Sequence, residues 1–420
     1  MARPFPMLAC PQCDLLHRGD PPAPGSMQIC TRCGAVLART GSLGLEAVLA
    51  LHVAALILLL TALAFPLLSL RMHGTLRVIS IPGCVGILAG LGWPWLSAIL
   101  LTTVILGPLV QLGGTALLLL RILRRRQDAW TARSFRVLEE IQRWDMVEVF
   151  LLGVIVSYAK LSQTATMVPG PALYALGGCI VVTAVAVATL EPRTVWDASG
   201  PGAAGAGPAA LPADGAGPRS ARQAALQACA TCGQLAAIAA QGPCPRCGAS
   251  LHSRKPDSLG RTWALLVTSA ILYLPANALP VTRVLNLGKA HEDTILSGVL
   301  YFLRTGSWPL ALLIFVASVL VPLVKFVVLT FLLLSVRYRS RWRPRQRARL
   351  YRLTEAVGRW SMVDIFAITI TVALMHMGSL ASVVPRPGAM AFALMVVATL
   401  LAARSFDPRL VWDTQEPEHA

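Results

Sequence analysis

The chain has 420 residues, of which 55% are hydrophobic and 14% are charged, and its mean hydropathy is +0.63. This composition excludes an ordinary soluble protein and is typical of an integral membrane protein. The formal net charge of +17 does not indicate nucleic acid, because seven arginines lie between positions 121 and 143 and nine between 337 and 359. Arginine clusters between apolar segments are typical of cytoplasmic loops, so we expect anionic lipid headgroups as their partner.

The first elements along the chain are paired cysteines, and a second set follows near the middle. The Cys-x-x-Cys pairs are Cys10 with Cys13, Cys30 with Cys33, Cys229 with Cys232, and Cys244 with Cys247. Two pairs at this separation are the pattern of a zinc ribbon, in which four thiolates bind one metal ion. A glycine that permits a tight turn follows three of the four pairs, whereas Asp14 follows the first.

The cysteine pairs have two other interpretations, disulfide bonds and a thiol redox centre. A reducing compartment disfavours disulfides, and a redox dithiol does not need a second pair. We therefore predict two structural zinc ions, one per ribbon, with iron as the competing metal. The two remaining cysteines, Cys84 and Cys179, are isolated and are expected to be packing residues.

Apolar stretches follow each ribbon, and each is long enough to cross the hydrocarbon core as a helix. Their approximate ranges are 43–70, 93–120, 144–168, 171–190, 262–281, 308–336, 361–384 and 387–404. The first 40 residues are polar, so no cleavable signal peptide is expected. The arginine-rich connectors predict that both termini and both ribbons are cytoplasmic.

The second half of the chain repeats the first at an offset of 216 residues, since the segment 143–150, RWDMVEVF, returns at 359–366 as RWSMVDIF. The sequence predicts an all-α integral membrane protein with two tandem repeats, each a small cytoplasmic zinc ribbon followed by four transmembrane helices. The predicted parts are ribbon 1 (1–42), membrane domain 1 (43–197), a flexible Ala/Gly/Pro-rich linker (198–226), ribbon 2 (227–255), membrane domain 2 (256–413) and a tail (414–420).

Prolines indicate the ends of several helices. The segments 168–171 and 384–387 each hold two prolines and are predicted to be tight turns between neighbouring membrane helices. The segment 293–303 interleaves apolar and polar residues. It is interpreted as a helix along the outer membrane surface or, alternatively, as an ordinary packing or re-entrant helix.

A lysine lies within the apolar run 310–334, where an uncompensated charge costs on the order of 3 kcal/mol. Ser318 lies two helical turns before Lys325 and is predicted to share its face. Asp364 is the expected counter-charge, and Thr399 offers a hydroxyl at membrane depth. The first half differs, because Gln111 and Val104 replace Lys325 and Ser318.

These groups suggest a charge relay that a proton gradient drives, with a buried ion pair that only fixes helix register as the alternative. The candidate relay residues are Lys325, Asp364, Ser318, Thr399 and Glu148, and His376 and Lys160 are weaker candidates. The sequence contains no phosphate-binding loop, nucleophile elbow or His-Glu-x-x-His helix, so an enzyme is not expected.

The duplicated ribbon and four-helix unit, the repeated RW-x-MV-[ED]-x-F segment and the repeated [ED]-PR-x-VWD ending resemble the paraquat-inducible protein A family. The resemblance covers nearly the whole chain outside the linker. It implies a bacterial inner-membrane protein that works beside a partner with mammalian-cell-entry (MCE) domains. In that family the pair is thought to move phospholipid through a periplasm-spanning tunnel.

Two other classes of function remain open at this point. One is a membrane thiol or quinone redox protein of a stress response, which the four-thiolate spacing disfavours. The other is a scaffold whose ribbons bind a cytoplasmic regulator and which transports nothing. Replacement of Lys325 distinguishes the scaffold from a proton-driven transporter, because a scaffold tolerates the change and such a transporter does not.

Overall fold

A computed structural model describes residues 7–18, 25–39, 41, 43–72, 75–124, 129–162, 166–198, 220–239, 242–286, 289–375 and 381–413. His376, most of the predicted linker and the predicted tail lie outside these residues.

The two halves of the chain contain similar series of elements. The first half comprises β1 (Met7–Ala9), β2 (Leu16–Arg18), β3 (Met27–Ile29), β4 (Val36–Arg39), α1 (Leu45–Ala64), β5 (Leu68–Met72), β6 (Thr75–Ile79), α2 (Ile81–Gly90), α3 (Pro94–Leu100), α4 (Gly107–Leu123), α5 (Ala129–Gln142), α6 (Val147–Leu161), β7 (Thr166–Pro169), α7 (Pro171–Thr189) and α8 (Pro192–Ala198). The second half comprises β8 (Leu226–Ala228), β9 (Leu235–Ala237), α9 (Ser258–Ala278), β10 (Thr282–Asn286), β11 (Lys289–Asp293), α10 (Ile295–Arg304), α11 (Trp308–Phe315), α12 (Val321–Arg337), α13 (Pro344–Gly358), α14 (Val363–Leu374), β12 (Ala381–Pro385), α15 (Pro387–Ser405) and α16 (Leu410–Asp413).

Seven helices within the described ranges are long and apolar enough to cross a membrane. They are Leu45–Ala64, Pro94–Leu123, Pro171–Thr189, Ser258–Ala278, Trp308–Arg337, Pro344–Leu374 and Pro387–Ser405. The third predicted span, 144–168, contains α6, which has 15 residues and is shorter than these seven. The eight-helix count therefore stays a prediction.

Two of the long helices contain a π-helical turn in their middle. The turn Leu101–Leu106 joins α3 to α4, and Val316–Leu320 joins α11 to α12. Each lies just before a proline, Pro108 or Pro322, whose nitrogen has no hydrogen to donate. The preceding N–H bonds five residues back, Gly107 to Thr102 and Val321 to Val316, which widens the turn and changes the helix's rotational register.

The prediction of an all-α fold is wrong in one respect, because short strands accompany the helices. Three two-stranded hairpins belong to the ribbons, and two three-stranded antiparallel sheets have the orders β6-β5-β7 and β11-β10-β12. The predicted proline turns are also corrected. Residues 166–169 form β7 and pair with β5, and β12 pairs with β10, so each turn is a strand followed by a helix start.

The two halves meet where α6 packs on α14. Phe150 and Phe366, which occupy the same place in the repeated motif, form an edge-to-face pair with ring centroids 5.7 Å apart. The Ser157 hydroxyl donates to the Ala367 carbonyl at 2.9 Å. Gly153 allows this approach, because a Cβ there would lie 2.8 Å from the Phe366 Cβ and 3.1 Å from the Ala367 nitrogen. Both halves therefore share one apolar core.

We predict that Gly153→Ala weakens this contact and lowers the free energy of unfolding by about 1–3 kcal/mol, the usual effect of overpacking. Gly177→Ala in α7 is the matched control, since its added Cβ meets nothing within 4 Å. Thermal unfolding of both variants in detergent measures the difference. Equal midpoints would contradict the proposed close approach.

Candidate functional site

Each cysteine pair lies in a tight knuckle that closes with backbone hydrogen bonds. The N–H of the residue after the pair donates to the carbonyl of the first cysteine, as for Asp14 to Cys10 at 2.9 Å and Gly34 to Cys30 at 2.9 Å. This residue has a left-handed backbone, with φ of 74° at Gly34 and 63° at Asp14. Asp14 therefore adopts the glycine conformation, which aspartate tolerates better than most residues do.

The four thiols of each ribbon converge on one point. The Sγ–Sγ distances are 3.5 Å for Cys10–Cys33, Cys13–Cys30 and Cys229–Cys247, and 3.6 Å for Cys232–Cys244. Sulfurs about 2.3 Å from a tetrahedral metal lie roughly 3.8 Å apart, whereas bonded sulfurs lie about 2.05 Å apart. All eight cysteines are buried and free of disulfides, so each set fits one metal ion.

Ribbon 1 packs mainly on the second half and not on the helices that directly follow it. Its cysteines share a hydrophobic cluster with Leu332 of α12, Tyr351 of α13 and Trp412 of α16. The Arg352 guanidinium donates to the Cys33 carbonyl at 3.1 Å. One hydrogen bond, from Arg193 of α8 to the Leu37 carbonyl, also joins ribbon 1 to its own half.

Ribbon 2 packs on the first half. Its four cysteines share a cluster with Val48 of α1, Leu119 of α4 and the Phe135–Trp196 ring pair of α5 and α8. The Arg136 side chain is 3.5 Å from the Cys247 carbonyl. Each ribbon is thus attached by sequence to one half and by packing to the other.

The two ribbons also contact each other. Leu16, Leu226 and Leu235 share a small apolar cluster, and an isolated bridge joins Leu15 to Ser220. The Ala221 N–H donates to the Asp14 carbonyl at 2.8 Å. Residues 220–225, which the sequence analysis assigned to the linker, therefore form a turn against ribbon 1.

An ion network that the sequence analysis missed holds ribbon 1 in place. Arg254 lies between ribbon 2 and α9, and its guanidinium donates to Asp14 at 3.1 Å and to Asp413 at 2.6 and 3.0 Å. Burial raises the pKa of the Asp14 carboxyl, and the Arg254 charge opposes that shift. The sequence did carry a signal for this network, because Asp14 stands where the other three cysteine pairs are followed by glycine.

Asp407 joins the ends of two helices on the same side. Its carboxylate accepts two hydrogen bonds from the Arg409 side chain at 2.9 and 3.0 Å and one from the Lys255 N–H at 2.9 Å. Burial opposes its ionisation, but these hydrogen bonds and the Arg409 charge outweigh burial and lower the pKa of Asp407. The repeated ending of the sequence thus fixes the start of α9 against the end of α15.

Lys325 lies in the first turn of α12 with 1% of its surface exposed. Its ammonium is 3.4 Å from each of three oxygens, the Gly358 carbonyl, the Ser361 hydroxyl and the Thr399 hydroxyl. All three acceptors are neutral. Thr399 was named from the sequence as a hydroxyl at membrane depth, whereas Gly358 and Ser361 were not named as partners.

The predicted ion pair between Lys325 and Asp364 does not form, although the structure describes both residues. The Asp364 carboxylate instead accepts a hydrogen bond from the Ser318 hydroxyl. The π-helical turn explains the separation, because Ser318 lies within it and two turns of helix no longer return to the same face. Ser318 therefore binds Asp364, and Lys325 contacts the end of α13 and α15.

Of the other relay candidates, Glu148 and Lys160 are not among the hydrogen-bond partners of Lys325. Glu148 is exposed at the start of α6 and is not a partner of Lys325 or Asp364. Lys160 is exposed at the end of α6, 5.8 Å from the Phe302 ring centroid, and attracts Asp364 and Asp293 electrostatically. His376 is outside the described ranges.

The sequence carried a signal for Ser361 as well. In the repeated motif, Asp145 of the first half is replaced by Ser361 in the second, and Gln111 is replaced by Lys325. Between the halves, one position therefore loses a negative charge and the other gains a positive charge. This joint change was the available sequence signal for a relation between residues 325 and 361.

Comparison with known proteins identifies relatives over nearly the whole chain. The family model described as "Paraquat-inducible protein A" matches residues 45–199 and 259–416. The chain is 35% identical over 416 residues to "Intermembrane transport protein PqiA" of Escherichia coli (strain K12), covering 98% of this chain and 97% of the relative.

Two other relatives match over similar lengths. "Lipophilic envelope-spanning tunnel protein A" of Escherichia coli (strain K12) is 29% identical over 411 residues, 98% of this chain and 92% of the relative. "Probable intermembrane transport protein" of Haemophilus influenzae (strain ATCC 51907 / DSM 11121 / KW20 / Rd) is 26% identical over 424 residues, 99% and 98% respectively. No solved structure matches the chain.

We predict two bound metal ions per chain, and one after Cys13→Ser, because a ribbon with three thiolates loses most of its affinity. Elemental analysis of the purified protein measures the ratio. Cys179→Ser is the control, since Cys179 is buried far from both ribbons, between α7 and α1, and its substitution should leave both ions bound. Unchanged metal content in Cys13→Ser would contradict the four-thiolate site.

We predict that Asp407→Asn lowers the free energy of unfolding at pH 7 by about 2 kcal/mol, because charge-assisted hydrogen bonds are lost. The folded pKa lies below the unfolded value of about 3.9, so this stabilisation is complete above pH 4–5 and is lost as the pH falls through the folded value. Thermal unfolding of both proteins between pH 7 and strongly acidic pH measures this change. The Asp257→Asn variant, at an exposed position, is the control, and a wild-type advantage that did not shrink as the pH fell below 4 would contradict the assignment.

Proposed function

The chain belongs to the paraquat-inducible protein A family, and we propose that it is the inner-membrane subunit of an intermembrane lipid transport system. In this proposal it moves phospholipid into or out of a periplasmic tunnel formed by a partner with MCE domains. It is a transporter subunit and not an enzyme. The names of its relatives, an intermembrane transport protein and an envelope-spanning tunnel protein, support the proposal.

The proposed topology has eight spans in two tandem repeats, with both termini and both ribbons in the cytoplasm of a bacterium. Seven apolar helices and the shorter α6 support the count. The arginine-rich connectors lie on the same side as the ribbons, because Arg345 and Arg352 contact ribbon 1 directly. We propose zinc as the metal of both ribbons, because four thiolates in a closed tetrahedral site favour it.

The observation that carries the proposed mechanism is the environment of Lys325. A buried ammonium inside a membrane helix is costly and usually marks a functional site. Its three oxygen partners are neutral, and Asp364, its expected counter-charge, is bound to Ser318 instead. The ammonium therefore has hydrogen-bond acceptors and no counter-charge among them.

This arrangement suits a group that changes its charge during a transport cycle. When Lys325 is charged, its three acceptors hold α12 against the end of α13 and against α15. Loss of its proton weakens all three hydrogen bonds at once, so α12 is then free to shift. Proton transfer at Asp364 acts in the same way on the contact between α14 and the π-helical turn. Protonmotive force can thus be coupled to helix movement without a nucleotide.

The alternative functions have less support. A thiol redox protein needs cysteines that exchange electrons, whereas eight of these cysteines form two buried, closed sets of four. A scaffold function does not explain why a costly lysine is buried in a membrane span. The separate partners of Lys325 and Asp364 argue against a purely structural ion pair between them.

We predict that Lys325→Met and Asp364→Asn each abolish lipid transfer that depends on a proton gradient. The experiment reconstitutes the full chain with its MCE-domain partner in liposomes and follows a fluorescent phospholipid with and without an imposed pH difference. Loss of transfer is expected because neither variant can change charge at its position.

The matched control is Ser335→Ala, which removes a buried hydroxyl of α12 that bonds only within its own helix, to the Leu332 carbonyl. It should retain transfer. Thermal stability and metal content verify that all variants fold. Gradient-dependent transfer by Lys325→Met at the wild-type rate would overturn the mechanism, and co-purification of the partner without any lipid transfer by wild type would favour the scaffold.

A further inference from the structure

A basic cleft lies where ribbon 1 meets the start of α13 and the end of α16. Its volume is about 580 Å³, and four arginines line it together with Gln346 and Trp412. They are Arg32 of ribbon 1 and Arg343, Arg345 and Arg349 of the second arginine-rich connector. Among the residues that the structure describes, no carboxylate lines this cleft.

Two of the arginines are held in place by contacts with the protein. The Arg345 guanidinium donates to the Arg32 carbonyl at 2.6 Å and to the Thr31 carbonyl at 3.1 Å. The Arg32 guanidinium lies 4.6 Å from the centroid of the Trp412 ring. These contacts fix two positive charges in one wall of the cleft before any ligand arrives.

The start of α13 adds to the positive potential. Its cap residue, Arg343, makes no side-chain hydrogen bond to the helix, and the first turn contains no acidic residue. The positive end of a helix favours an anion, so arginines there are unfavourable unless a counter-ion is present. Among the described residues, this 15-residue helix thus begins beside arginines with no acidic residue in its first turn.

A buried guanidinium in the same turn, that of Arg347, adds to the local positive charge without lining the cleft. Arg347 is 0% exposed, and its Nη2 donates to the Ser340 carbonyl at 2.8 Å. Its Nε and Nη1 have no hydrogen-bond partner among the described residues. The neighbouring carboxylate, Asp413, is bound by Arg254 and lies within 3.6 Å of Arg222, so it does not neutralise the cleft.

From these observations we infer that the cleft is a binding site for a phosphate group. Arginine forks match the oxygens of phosphate in pairs, and the volume accommodates a group of headgroup size. The same chemistry can come from an anionic phospholipid of the adjacent leaflet or from a soluble phosphate ester. Because Arg32 lies between Cys30 and Cys33, the site is complete only when ribbon 1 is folded and docked.

The test compares two double variants of the full chain. Arg343→Gln with Arg349→Gln removes two exposed charges from the cleft, and Arg124→Gln with Arg133→Gln removes two exposed charges from the first connector. Native mass spectrometry counts the phosphatidylglycerol that each protein retains. Calorimetry with glycerol 3-phosphate measures binding of the soluble probe.

The cleft variant should bind at least one probe about ten-fold more weakly than wild type, the loss expected from about 1.4 kcal/mol of charge-assisted hydrogen bonding. The connector variant should bind within about two-fold of wild type. Weakening for the lipid alone assigns the site to the membrane, and weakening for the ester alone assigns it to a soluble anion. The variant with Arg343→Lys and Arg349→Lys should bind with an affinity between those of wild type and the glutamine variant. Lysine keeps the positive charge but cannot form the paired hydrogen bonds of a guanidinium.

Equal binding by the two double variants would overturn the inference. The sequence also places Glu416 and Glu418 a few residues beyond Trp412. Glu416→Gln with Glu418→Gln therefore serves as a third variant. If phosphate binds only to that variant, the cleft's partner is a carboxylate of the chain itself and the inference is wrong.

Discussion

Everything on the ribbon side of the molecule depends on the reciprocal packing of the two ribbons. Each ribbon is joined by sequence to one membrane half and buries its cysteine core against the other. Neither half can move far without carrying the opposite ribbon with it. The packing of α6 on α14 also joins the two halves within the membrane part. The halves are therefore held together both by the ribbons and by these helices.

The polar groups inside the membrane part obey a related constraint. Hydrocarbon offers no hydrogen bonds, so each buried polar group must find its partners within the protein. Lys325 finds three oxygens on α13, the turn after it and α15, and Asp364 finds Ser318. The π-helical turn before Pro322 separates the two sites, because it rotates Ser318 away from the face of Lys325. The π-helical turn beside this proline thus influences which polar groups contact Lys325 and which contact Asp364.

The sequence predicted the parts of this protein better than their arrangement. The cysteine spacing identified both four-thiolate sets, and hydropathy identified the long helices, because these signals are local. The strands were missed because β5 and β10 have only five residues each, and because the start of β5 was assigned to the predicted first span, 43–70. The pairing of Lys325 with Asp364 was wrong because helical spacing assumes a regular α-helix. The exchange of ribbons could not be predicted, since proximity along the chain favours the adjacent half.

The exchanged ribbons impose an order on biosynthesis. Ribbon 1 leaves the ribosome first, yet α12, α13, α15 and α16, on which it packs, are made last. It must therefore fold around its metal and remain undocked while most of the membrane part is inserted. Ribbon 2, in contrast, meets a first half that is already complete. The contacts of Arg254 with Asp413 and of Arg32 with Trp412 can form only after α16 has been made.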